Sequence, residues 1–174
     1  MKILKNIFIA LAVIVAIVLA GIYFLPAHYS VSRSIEIEKP IAEVAPHISN
    51  FNQWSAWSPW YEMEPDAKLT FEGTPATIGH KMSWNGKKNG VGSLTIASVS
   101  ANGMEGNLVF VKPFAMTSKD IWNFKDENGK TIVTWTSTGN LSYPLGRLFG
   151  LSLEQMLGEQ KEHGLEKLKE VCEK

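Results

Sequence analysis

The sequence predicts an α+β domain behind one membrane-spanning helix. The domain is a curved antiparallel sheet of about seven strands with two short helices and a long C-terminal helix laid across it. Three observations predict it. Residues 7–25, IFIALAVIVAIVLAGIYFL, carry no charge. Asn-Gly pairs at 85–86, 102–103 and 128–129 punctuate short alternating segments, which is the pattern of hairpins. From residue 146 onward apolar residues recur at helical spacing.

At about 1.5 Å per residue, the 19 residues from Ile7 to Leu25 span close to 30 Å as a helix, the thickness of a bilayer core. A surface helix of a globular domain would show a polar face, and this one has none. Lys2 and Lys5 precede it and the next charge is Arg33, which favours a cytoplasmic N-terminus. The rival is a cleaved signal peptide, with Val18-Leu19-Ala20 as a cleavage site. The apolar run exceeds the roughly 7–15 residues of a signal core, so an uncut anchor is expected. No cysteine lies near it, which excludes lipoprotein processing. The expected organisation is an anchor over residues 1–27 and an exported domain over 28–174. That makes a single-pass membrane protein with its domain on the periplasmic or extracellular side.

Within the domain, YSVSRSIEIEKP alternates Val31, Arg33, Ile35 and Ile37 against Ser and Glu, a half-buried strand. Pro40 opens a short helix over IAEVAPHISN, and Pro46 should end or kink it. FNQWSAWSPW follows, with Trp54, Trp57 and Trp60 three residues apart. That spacing puts them near one stripe of a helix or of tight turns. Pro59 restricts Ser58 to extended geometry, so Trp60 leaves the stripe. Trp57 is expected to pack inward, with Trp54 and Trp60 partly exposed. Six further strands run through AKLTFEG, GHKMSWNG, GVGSLTIASVSANG, MEGNLVFVKPF, MTSKDIWNFKDENGK and TIVTWTSTG. Hairpin-length turns make the sheet antiparallel. In the terminal helix Leu153, Met156, Leu157, Leu165, Leu168 and Cys172 form one stripe. That stripe needs a surface, and the concave side of a curled sheet is the large one available.

Composition narrows the function. Formal net charge is zero, with no basic run beyond Lys87-Lys88, so nucleic acid is not an expected partner. The single cysteine, Cys172, excludes an internal disulfide and a thiolate-rich metal site. The four histidines show neither HxH nor HxxxH spacing. Only a convergence of His80, Asp120 and His163 in space could make a metal site, and none is expected. There is no GxSxG elbow and no cofactor motif, so no cofactor is expected.

The residues SRSIEIEKPIAEV, NQWSAWSPW, GTPATIGHKMSW, KTIVTWTSTG and HGLEKLKEVCE, in that order, resemble the SRPBCC superfamily of START domains and birch-pollen-allergen-like proteins. The resemblance covers residues 29–174 and is nearest to the bacterial polyketide cyclase/dehydrase-like branch. It implies a helix-grip fold with an apolar ligand cavity between the sheet and the C-terminal helix, and it places the tryptophan stretch at the mouth of the grip.

Candidate ligand-binding residues follow from strand alternation. Met82, Trp84, Leu94, Ile96, Leu108, Phe110, Trp122 and Trp135 should point inward, with Asp120 as the one ionisable residue among them. Trp57 joins them from the corner, and Met156, Leu157 and Gln160 from the last helix. A buried Arg33–Asp120 pair is a further expectation. No catalytic residue is assigned. The function this suggests is a membrane-anchored domain that binds or carries a lipid-like or other apolar small molecule. The alternatives are a cyclase/dehydrase-type enzyme, which needs a buried base, and a protein-interaction module with a filled core.

Overall fold

A computed structural model describes residues 2–174. The apolar segment forms α1 (Lys2–Tyr23). β1 (His28–Ile37) follows, then α2 (Ile41–Ser49), a 3₁₀ turn (Phe51–Ala56) and α3 (Pro59–Met63). Next come β2 (Lys68–Glu72), β3 (Lys81–Asn85), β4 (Val91–Ser100), β5 (Gly103–Lys112), β6 (Met116–Glu127) and β7 (Lys130–Asn140), and α4 (Leu145–Cys172) closes the chain. The seven strands form one antiparallel sheet in the order β1-β7-β6-β5-β4-β3-β2. This is the helix-grip architecture expected of the sequence.

Pro46 does not end α2, which continues through it to Ser49. Proline has no N–H for the carbonyl of Ala42 four residues back and its ring crowds that carbonyl, but the later turns do not depend on that bond. The carbonyl of Pro46 still accepts from Asn50 at 3.1 Å. The second short helix is split into the 3₁₀ turn and α3, as Pro59 at the first position of α3 requires.

The register defines the face that the helices cover. One row across it reads Val31, Ser137, Asp120, Gly106, Ile96. The row on one side reads Arg33, Trp135, Trp122, Met104. The row on the other reads Tyr29, Gly139, Ser118, Leu108, Leu94, Met82. Two apolar clusters fill the space beneath the helices. The larger holds four tryptophans with Phe51, Leu165 and Leu168, and the smaller holds Tyr29, Val31, Leu141 and Leu153. Cys172 ends the buried stripe of α4, where burial pushes its thiol up to about 11, as an inert core thiol requires.

The tryptophan corner is a plug. Trp54 and Trp57 lie against the stacked pair Trp122–Trp135, whose centroids are 4.2 Å apart. All four rings contact one another within 6.5 Å. Their indoles also satisfy the last carbonyls of α2: Trp54 Nε1 donates to Ile48 at 2.8 Å and Trp57 Nε1 to His47 at 3.0 Å. Trp54 is therefore 4% exposed, not partly exposed as expected. Trp54 in the 3₁₀ turn and Trp57 just after it turn their rings to one side, 4.9 Å apart.

Candidate functional site

Every strand residue proposed from alternation lies on the covered face. Leu94, Ile96, Trp122 and Trp135 are buried. Met82, Trp84, Leu108 and Phe110 are half-buried. Trp84 and Phe110 meet edge to face at 5.5 Å, and the Trp84 N–H donates to the Asn89 carbonyl at 3.1 Å. An apolar strip thus runs from the buried centre of the sheet towards the β2–β3 edge, becoming more accessible as it goes. Trp57 stands at its closed end. On α4 the arrangement differs. Leu157 packs on the smaller cluster, Gln160 is half-buried, and Met156 is 41% exposed on the outer side of the helix.

The expected Arg33–Asp120 pair is not formed. Arg33 belongs to the adjacent row, where Glu154 (3.0 Å) and Glu162 reach it from α4. Gly158 leaves room for it, since a Cβ there would lie 2.2 Å from the guanidinium. Asp120 instead accepts from the Ser137 hydroxyl, its neighbour across β6–β7.

The residue that completes this centre is Lys161, which sequence reasoning passed over for Gln160. Lys161 is 1% exposed. Its Nζ donates to Ser137 Oγ at 2.7 Å and stands 3.8 Å above the centroid of the Trp135 ring, a cation–π contact in a desolvated setting. Burial pushes the amine down to about 8, against the pull of the Asp120 charge, with Arg33 adding a smaller push in the same direction. Tyr29 borders the same centre. Burial raises its hydroxyl above the usual range, Ser118 beside it pulls it back, and the Asp120 charge adds to the rise. A signal for Lys161 does exist in the sequence. Residues 153, 157, 161, 165, 168 and 172 recur at three- and four-residue steps, and only the lysine breaks the apolar run.

Among the described residues, several hydrogen-bonding groups in and beside the centre are unused, the buried Ser118 hydroxyl included. An ammonium has three N–H groups, and among the described residues one of them is used. The buried indole N–H groups of Trp122 and Trp135, in the next row, have no partner among the described residues. A buried donor left unpaired costs about 1–3 kcal/mol.

The histidines do not converge with Asp120. His80 stacks on Phe51 at 4.9 Å and bonds the Glu72 carbonyl. His163 bonds Glu62 at the surface at 2.8 Å. Among the described residues no group of three or more His, Cys, Asp or Glu could hold a metal ion.

Comparison with known proteins places this geometry in context. The sequence model described as "Polyketide cyclase / dehydrase and lipid transport" matches residues 28–173. A comparison with curated proteins gives no match. Solved structures share the fold. A Thermobifida fusca protein aligns at TM-score 0.63 and 17% identity, over 82% of this chain and 92% of its own. The di-domain ARO/CYC StfQ of the steffimycin biosynthetic pathway aligns at 0.64 and 10%, over 84% and 51%. DynU16, from the dynemicin biosynthetic locus, aligns at 0.59 and 13%, over 83% and 47%. The chain therefore spans about half the length of the last two. At these identities the likeness is one of fold.

Proposed function

The chain belongs to the polyketide cyclase/dehydrase and lipid transport family of the SRPBCC superfamily, and from that premise we propose that its domain binds an apolar small molecule bearing a neutral acceptor oxygen. The ligand lies along Leu94, Leu108, Met82, Trp84 and Phe110, with its oxygen at Lys161. The observation that carries this reading is the buried Lys161 ammonium, with N–H groups unused among the described residues, at the closed end of an apolar strip. Lys161 and Asp120 already balance each other in charge there, so an added carboxylate would be an unpaired buried charge. A carbonyl, ester or hydroxyl oxygen meets the donors without that penalty. The helix α1, of which Ile3–Tyr23 is long and apolar enough to cross a membrane, holds the domain beside a source of such molecules and raises their effective concentration.

Photoaffinity labelling tests the reading. The full chain, in its own membranes, is irradiated with a long-chain alcohol carrying a diazirine along its tail. Adducts are expected on Met82, Trp84, Leu108 or Phe110, and should be lost when the unlabelled alcohol competes, but not when the matching fatty acid does. Adducts confined to α1 and the outer surface would overturn it.

A second reading is supported by one observation. An amine held at about 8 has a deprotonated fraction at neutral pH and can act as a general base. A cyclase/dehydrase-type reaction would then show as a chemical change in the bound molecule that depends on Lys161.

A further inference from the structure

Beyond the ligand site, and resting on the reading of α1 as a membrane span, we propose that the first turns of α4 form a foot embedded in the outer interface of the bilayer. The occupant of this surface is the lipid headgroup and upper acyl region. Leu145, Leu148, Phe149 and Met156 follow one helical face. All are exposed, Leu145 by 71% and Phe149 by 48%. They are far more apolar than the solvent-facing side of the rest of α4, where Glu159, Glu162 and Glu166 stand.

The contacts with α1 set the depth of this face. The Tyr143 hydroxyl donates to the carbonyl of Leu19 at 3.0 Å. Arg147 donates to the carbonyl of Tyr23. Its guanidinium lies 5.4 Å from the Tyr23 ring centroid and 5.7 Å from that of Tyr143. Leu19 is four residues inside the end of α1, about 6 Å along its axis. The 21 residues Ile3–Tyr23 are themselves only about as long as the roughly 30 Å bilayer core. A span of that length cannot hold Leu19 in water, so Tyr143 reaches headgroup depth or below, and Leu145 starts the helix beside it. Tyr23 and Tyr143 are the aromatic residues typical of that level, and Arg147 supplies the cation.

The foot also gives a hollow of about 170 Å³ a position. It opens between β1 and the first turns of α4, bounded by Tyr29, Val31, Leu141 and Leu153. Tyr29 borders the polar centre as well. Embedding the foot puts this opening at the lipid surface, not in bulk water.

The test uses the full chain in lipid vesicles, with Cys172→Ser as background. A bimane label is placed at Leu145→Cys, at Phe149→Cys or at Asn128→Cys. The last site lies in the β6–β7 turn, at the opposite end of the strands from His28 and Asn140. Lipids brominated high on the acyl chain are expected to quench most of the fluorescence at 145 and 149, and little at 128. Labels at 145 and 149 as bright as at 128, in chains that float with the vesicles, overturn the foot alone. The same holds if the labels are shielded from bromine because a second copy covers them. Chains that fail to float refute the span, and the foot with it. Neither outcome bears on diazirine labelling within the grip, so the two proposals fail separately.

Discussion

Alanine at Trp57 is expected to cost about 3–5 kcal/mol of unfolding free energy, and alanine at Trp54 nearly as much. A partly exposed ring, as expected of Trp54, would lose much less. The structure gives both the same role. Each ring meets Trp122 and Trp135, and each N–H satisfies a carbonyl of α2. Truncation therefore opens a void in the plug and strands a backbone acceptor at the end of α2. Trp60, half-buried outside the cluster, should lose far less. Denaturant unfolding of the three variants decides the matter. Equal, small losses at Trp54 and Trp57 would remove the plug and restore a surface binding platform.

Lys161→Met is expected to abolish a rise in stability between about pH 8 and pH 10.5. The sign follows from the direction of the shift. The folded-state amine sits at about 8 and the ordinary value is 10.5. Between those values the unfolded chain binds the extra proton, so raising the pH favours folding. Integrated across the window, the wild-type gain from this one group is roughly 3 kcal/mol. Below about pH 8 both states are protonated and the group contributes no slope. Tyr29 and Cys172 act the opposite way at high pH, since burial raises both, but they are common to both proteins and cancel in the comparison. Asp120→Asn should extend the wild-type rise to lower pH, because Asp120 is the charge that raises the amine. Urea unfolding from about pH 6 to about pH 11, across the whole window, measures all three. Identical profiles for wild type and Lys161→Met would mean that Lys161 is not titrating from a buried site.

Most of the architecture was legible because it is written in short-range patterns. The Asn-Gly turns specify hairpins, two-residue alternation put Met82, Leu94, Trp122 and Asp120 on one face, and the apolar stripe marked α4. What escaped depends on which residues meet across the sheet. Asp120 shares a side with Arg33, but Ser137 is its direct neighbour and Glu154 and Glu162 engage Arg33 first, which pairing register decides and alternation does not. Lys161 was hidden by its charge. Treated as a solvent-facing lysine it drops out of the stripe, although the stripe passes through it. Met156 shows the converse. It fits the helical period, yet it lies on the side of α4 that continues the exposed face of Leu145 and Phe149. Trp54 is buried because Trp122 and Trp135 reach the corner from β6 and β7, a contact between distant segments that local spacing does not show.

The most direct test of the central claim is native mass spectrometry of the full chain extracted from its own membrane, beside Lys161→Met prepared identically. The wild-type chain is expected to carry one neutral, oxygen-bearing apolar molecule, and the variant, folded but without its ammonium, is expected to lose it. A bare wild-type chain, or the same molecule retained equally by both, would contradict a ligand site built on Lys161.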